Sequence, residues 1–128
     1  MTSSSPPFPS RRILVVDDHI DTGQAMQRLL EGMGYEVETA DSFASALEAA
    51  RRGTFDLLLT DIQLPDGSGL DLLRELRSRG SPRIKGVTLS GYTEDEEKAR
   101  SRDAGFIAHL AKPVDFPSLL KMIQDLLA

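Results

Sequence analysis

The sequence predicts an α/β domain built on one parallel sheet, and three observations carry that expectation. From Arg12 onward, short apolar runs alternate with helical patterns. Two of the runs, residues 13–16 and 57–59, are continuous rather than alternating, as in central strands covered on both faces. Four of the runs end on polar residues: Asp17-Asp18, Asp61, Ser90 and Lys112. A parallel strand pair needs a crossover, normally a helix, so five strands interleaved with five helices make a parallel sheet.

The elements follow in order. Residues 2–10 (TSSSPPFPS) are rich in Ser and Pro, cannot bury a core, and are expected to be a tail or linker, residues 1–10, ahead of one domain over 11–128. After the strand at 13–16, Met26, Leu29, Leu30 and Met33 recur at i, i+3, i+4 and i+7, and Gly32 and Gly34 end that helix. Residues 35–40 are a brief strand. Phe43, Ala46, Leu47 and Ala50 form the next stripe, closed by Gly53. The run 55–60 leads into Asp61. Beyond the Leu64-Pro65-Asp66-Gly67 turn, Leu72, Leu73 and Leu76 mark a third helix that closes near Gly80. The run 84–89 ends at Ser90. Residues 93–104 (TEDEEKARSRDA) carry a Thr93–Glu96 capping box and the i, i+4 pairs Glu94–Lys98 and Glu96–Arg100. Ala99 and Ala104 are nearly that helix's only apolar residues, so it is expected to dock weakly. The run 106–111 ends at Lys112-Pro113, and Phe116, Leu119, Leu120, Ile123 and Leu127 give the last stripe.

Composition narrows the function. With no cysteine among 128 residues, disulfides, thiolate catalysis and Cys-ligated metal centres are excluded. No run approaches the ~20 apolar residues that cross a bilayer, and the first ten residues hold no apolar signal core. A net charge of −5 argues against non-specific nucleic-acid binding, which needs Lys and Arg massed on one face.

Strand C-termini in an open parallel sheet share one edge, where ligands bind. That edge gathers Asp17, Asp18, Asp61, Ser90 and Lys112. Taken singly, each has an ordinary explanation. An acid of the pair could cap the following helix, Asp61 could serve the turn after it, Ser90 could be a turn residue, and Lys112 could be a solvated lysine. Capping accounts for one acid per helix start, not for a consecutive pair plus a third acid and a lysine. Three converging carboxylates repel one another unless a cation sits among them. Hard oxygen donors without Cys or a His cluster select Mg²⁺ or Mn²⁺ over zinc. One carboxylate is then free to attack phosphorus and form an acyl phosphate, with Lys112 and Ser90 contacting the phosphoryl group. His19, beside the acid pair, is expected to face solvent, since imidazole is a poor Mg²⁺ ligand.

Asp17-Asp18, Asp61 with Leu64-Pro65-Asp66-Gly67, Ser90-Gly91 and Lys112-Pro113, in this order, resemble the receiver domain of two-component response regulators. The resemblance covers about Arg12 to the C-terminus. It implies a flavodoxin-like (βα)5 three-layer sandwich with strand order 2-1-3-4-5. It makes Asp61 the phosphoacceptor. It makes Asp18, Asp61 and the backbone carbonyl of Gln63 ligands of Mg²⁺ or Mn²⁺, with Asp17 helping through water. It assigns Ser90 and Lys112 to the phosphoryl group, and a sensor histidine kinase or histidine phosphotransfer domain as donor. It describes a cytoplasmic signalling domain rather than an enzyme. Its partner face, and that of a homodimer, lies on the fourth helix, fifth strand and fifth helix. Two positions depart from the family's habit. Gly91 stands where Ala is common, which keeps access open and loosens the loop. His109 stands where Tyr or Phe often rotates inward, so its role is either a switch or a strand-end surface residue. The string 105–114 is similar to receivers joined to hybrid histidine kinases.

Other readings fit less well. A corrinoid-binding flavodoxin-like module uses Asp-x-His-x-x-Gly, but Asp17-x-His19 has Thr22 at the glycine position. A phosphohydrolase with an Asp nucleophile usually needs Asp-x-Asp and a cap domain. A receiver-like interaction module without phosphorylation is disfavoured because every phosphorylation residue is present. Dinucleotide binding fails because Gly67-x-Gly69 meets Leu72 at the third glycine position.

Overall fold

The computed structural model describes residues 11–91 and 95–127. The tail expected at 1–10 and the pairings that need Thr93 and Glu94 lie outside the described residues. Five parallel strands form the sheet: β1 (Arg12–Val16), β2 (Glu36–Ala40), β3 (Leu57–Asp61), β4 (Lys85–Ser90) and β5 (Ala108–Ala111), in the spatial order β2-β1-β3-β4-β5. This is the order that the resemblance implied. Five helices alternate with them: α1 (Ile20–Gly32), α2 (Phe43–Arg51), α3 (Gly69–Ser78), α4 (Asp95–Asp103) and α5 (Phe116–Leu126). The turn expected after β3 is the tip of a small antiparallel ribbon pairing Gln63 with Ser68 and Leu64 with Gly67.

The period-2 geometry of a strand divides the core into two layers. Ile13, Val15, Leu57, Leu59, Val87 and Leu89 point to one face and pack with Met26, Leu30, Leu119 and Ile123 of α1 and α5. Leu14, Val16 and Leu58 point to the other, against Ala46, Ala49, Leu72, Leu73 and Leu76 of α2 and α3. Both sides of β1 and β3 are therefore covered, which is why their runs are continuous. Two residues of the expected stripes stand exposed: Met33 at 40%, because α1 stops at Gly32 and Met33 is already its C-cap, and Phe116 at 36%, the first residue of α5.

Side-chain caps fix the starts of α2 and α3. The Ser42 hydroxyl accepts from Ser45 N, and the Ser45 hydroxyl accepts from Ser42 N, a reciprocal box at α2. Ser68 Oγ accepts from Leu70 N at α3. Gly34 and Gly105 follow α1 and α4 with φ of 99° and 97°, a left-handed turn that other residues resist.

The thin docking expected for α4 is observed. Ser101 is its one buried residue, and it is held by a hydrogen bond between its hydroxyl and that of Thr88 on β4 (2.8 Å).

Candidate functional site

The sheet delivers the polar residues to one edge. Asp17 continues β1 by one residue, donating its backbone N–H to Ala40 O (3.0 Å), and is almost fully buried. Asp61 is the last residue of β3, and Ser90 is the last of β4; both are buried. Lys112 follows β5, its backbone N–H donating to Ser90 O (2.7 Å). Its ammonium lies 2.6 Å from Asp61 Oδ1 and 3.0 Å from Asp17 Oδ2. Lys112 is therefore not a solvated surface lysine; it bridges two buried carboxylates. Above them opens a cavity of about 410 Å³, lined by Asp18, Gln63, Ser90 and Gly91 among others. Among the described residues, a Cβ at Gly91 would meet nothing within 4 Å, so none of them crowds that flank of the mouth.

The capping explanation of the acid pair fails on geometry. The N-cap of α1 is His19, with no side-chain cap. Asp17 Oδ1 instead accepts from His19 N (2.9 Å) and contacts His19 Nδ1 (3.1 Å), which also lies 3.3 Å from Asp18 Oδ1. The imidazole is 69% exposed, as expected, yet it belongs to the acidic cluster. The turn is served by a different acid. Asp66 accepts from Phe43 N (2.6 Å) and Ala44 N (3.0 Å), tying the ribbon tip to the start of α2. Those two backbone donors hold the Asp66 carboxyl below the usual carboxylate range.

Crowding sets the two buried acids apart. Burial, and the adjacent Asp17 carboxylate, push Asp61 up to about 7 against the opposing pull of Lys112. Burial also works to raise Asp17, but hydrogen bonds from Asp61, the His19 backbone and Lys112 outweigh it and hold Asp17 low. Burial works to lower Lys112, and the two carboxylates reverse that and raise it. Asp17, Asp18, Asp61 and His19 each place a ligand atom within 4.8 Å of the others. Three clustered carboxylates at a solvent-open mouth fit a hard divalent cation.

Two expected site residues stand differently. Gln63 lies in the ribbon on the rim of the cavity, its side chain exposed. His109 is apart from the acids: its Nδ1 shares a hydrogen bond with Thr88 Oγ1 (2.8 Å), and it lines a separate cavity with Lys98, Ser101 and Arg102.

The sequence reading missed the residue that shapes the backbone around Asp61. Gly69, first residue of α3, donates its N–H to Ile62 O (2.7 Å), and a Cβ there would fall 1.8 Å from Asp61 O. Only glycine lets α3 approach β3 so closely. It also missed Glu97 of α4, whose Oε1 accepts a 2.5 Å hydrogen bond from Ser90 Oγ. No motif marks Glu97, since its partner is fixed only by the packing of α4 on β4.

The chain matches the profile of the response regulator receiver domain over residues 13–124. It is 35% identical over 116 residues to the transcriptional regulatory protein ZraR of Escherichia coli K12, covering 91% of this chain and 26% of that protein. The chain thus spans about a quarter of that relative's length. Among solved structures, a CheY-like response regulator receiver domain protein of Methanospirillum hungatei superposes with a TM-score of 0.83 at 35% identity, covering 91% of this chain and 93% of that one. A response regulator protein of Burkholderia pseudomallei, solved with a phosphorylated aspartic acid, a calcium ion and citrate, superposes with a TM-score of 0.79 at 30% identity, covering 87% of this chain and 65% of that one.

Proposed function

The chain belongs to the response regulator receiver domain family of two-component signalling, and on that premise we propose that Asp61 takes a phosphoryl group from a phosphohistidine. The donor is a sensor histidine kinase or a histidine phosphotransfer domain, and the setting is cytoplasmic. One observation carries the reading. Lys112 bridges Asp61 and Asp17 at the floor of an open cavity, with the Ser90 hydroxyl on its wall.

The ionised Asp61 carboxylate is the nucleophile: one oxygen bonds to phosphorus as the P–N bond of the phosphohistidine breaks, and the imidazole keeps the electron pair. The product is an acyl phosphate. Lys112 leaves Asp17 and Asp61 to pair with the transferred oxygens, and Ser90 donates its hydroxyl hydrogen to another. Asp18, Asp61 and the Gln63 carbonyl would hold the cation, with Asp17 assisting through water; Mg²⁺ is the cation we assign, and Mn²⁺ fits the same donors. When bound, it neutralises charge on the phosphoryl oxygens and favours ionised Asp61. The presence of a phosphorylated aspartic acid and a calcium ion in the Burkholderia pseudomallei protein supports this chemistry. The output is a changed partner face on α4, β5 and α5, which is also the face for a homodimer.

The test is intact-mass measurement after incubation with acetyl phosphate and Mg²⁺. One added phosphoryl group, labile to hydroxylamine and absent from Asp61→Asn, is expected. Uptake by Asp61→Asn at the parental rate would refute the assignment.

A further inference from the structure

We propose that Glu97 is a positioning residue: it holds the Ser90 hydroxyl on α4 and must release it when Asp61 carries a phosphoryl group. The inference rests on Asp61 being the phosphoacceptor.

Two hydrogen bonds pin α4 to β4. Ser90 Oγ donates to Glu97 Oε1 (2.5 Å), and the hydroxyls of Thr88 and Ser101 are hydrogen-bonded to each other (2.8 Å). Their spacing matches. Residues 97 and 101, four apart, share one face of the helix and stand about 6 Å apart along it. Residues 88 and 90, two apart, share one face of the strand and stand about 6.6 Å apart. The helix runs antiparallel to the strand, so Glu97 meets the strand's last residue and Ser101 meets the residue two before it. With Ser101 the helix's one buried residue, these polar pins replace the apolar stripe that α4 lacks.

The two pins differ in what they face. The Thr88 pin is interior: Thr88 is fully buried. The Ser90 pin borders the cavity that also holds Asp61 and Lys112. A serine hydroxyl has one proton to donate. A carboxylate at 2.5 Å makes a charge-assisted bond. An acyl phosphate on Asp61 brings a second anionic acceptor within the same cavity, and Ser90 cannot donate to both. Donation to the phosphoryl group therefore frees the first turn of α4 while Ser101 still holds its C-terminal half. By linkage, whatever loosens the Glu97 contact strengthens phosphoryl binding by the same factor.

The experiment measures beryllofluoride binding in the presence of Mg²⁺ by calorimetry. The proteins are the parent, Glu97→Ala, Glu97→Gln, Ser90→Ala and the Ser90→Ala/Glu97→Ala double variant, all as the full chain. Glu97→Ala is expected to bind about tenfold more tightly, which is about 1.4 kcal/mol, and Glu97→Gln to fall between it and the parent. In the Ser90→Ala background the Glu97→Ala gain should vanish, which a general loosening of α4 does not predict. Amide exchange at residues 95–100 in unliganded Glu97→Ala should resemble that of the liganded parent. Should Glu97→Ala fail to fold, the glutamine variant carries the comparison. Equal affinities in parent and both Glu97 variants, or a gain that survives in Ser90→Ala, would overturn the inference. A parent that neither binds beryllofluoride nor takes up phosphate overturns the phosphoacceptor reading instead.

Discussion

Replacing Gly69 with alanine should damage phosphorylation more than it damages the fold. A Cβ at this position would sit 1.8 Å from Asp61 O, 2.9 Å from Asp61 C and 2.9 Å from Thr60 Oγ1. Two of these are backbone atoms of a central strand, so no side chain can swing aside, and α3 and β3 must separate by about 1 Å. Both are anchored: Leu72, Leu73 and Leu76 on the helix and Leu57, Leu58 and Leu59 on the strand are essentially inaccessible. Overpacking of this kind costs about 1–3 kcal/mol, and losing the 2.7 Å Gly69–Ile62 hydrogen bond adds about 1 kcal/mol. A loss of about 3 kcal/mol lowers the melting temperature of a domain this size by roughly 10 °C or more. Displacing a nucleophile by about 1 Å can cost about 100-fold in rate, and Asp61, the proposed acceptor, is the residue displaced. The assays are thermal denaturation and acetyl phosphate uptake followed by intact mass. Gly23→Ala is the control. It lies buried within α1, a Cβ there meets nothing within 4 Å, and alanine in a helix interior should stabilise by about 0.5–1 kcal/mol. A Gly69→Ala protein with parental melting temperature and uptake would refute the claim that this close approach shapes the acceptor.

Three further outcomes are expected. Folded Asp61 keeps its proton up to about pH 7 while the unfolded chain releases it near 3.8, so the folded state binds more protons in that window. Stability of the cation-free protein should therefore fall as pH rises through it and level off above, a slope that Asp61→Asn should lack in melting curves recorded in EDTA. Mg²⁺ should stabilise the parent by up to about 2.7 kcal/mol at 100 times the dissociation constant, and so raise its melting temperature more than that of Asp18→Asn; equal shifts would place the ion elsewhere. Thr88→Val should destabilise by about 1–3 kcal/mol in urea unfolding, because it strands the Ser101 hydroxyl and His109 Nδ1; an unchanged midpoint would mean water replaces it.

What the sequence disclosed and what it hid follow from range. Strands β1 and β3 are readable because burial on both faces leaves an unbroken apolar run, and the polar residues are readable because each ends such a run. The acid pair, Asp61, Ser90 and Lys112 meet because a parallel sheet aligns its C-terminal ends. Asp66 bonding to the start of α2, 22 and 23 residues away, has no local signature. Neither does Gly69, whose need for glycine arises from a strand it follows by eight positions. Glu97 lay inside a charged helix that reads as solvated. Its role exists only because α4 lies antiparallel to β4. His109 occupied a position the family resemblance singled out, and its bond to Thr88 gives it a packing partner inside the sheet.

The unequal titration of the two buried acids bears directly on how the reaction is gated. At neutral pH without a cation, burial and Asp17 keep a substantial fraction of Asp61 protonated, and a protonated carboxyl group is a poor nucleophile. Lys112 alone does not reverse this, although its ammonium is 2.6 Å away, because burial and the Asp17 carboxylate outweigh its pull. Asp17, Asp18 and Asp61 would hold a divalent cation whose charge would favour the ionised form of Asp61. On the proposed chemistry, cation dependence would arise in the acid pair itself, through the ground-state charge of Asp61 as well as through neutralisation of the phosphoryl oxygens. On this account Asp17→Asn, which removes the like charge beside Asp61, should make phosphoryl uptake less steeply pH-dependent between about pH 6 and pH 8 at limiting Mg²⁺. Uptake profiles from acetyl phosphate, compared with the parent at the same Mg²⁺ concentration, measure this. Parallel profiles would mean that Asp17 does not set the charge of Asp61.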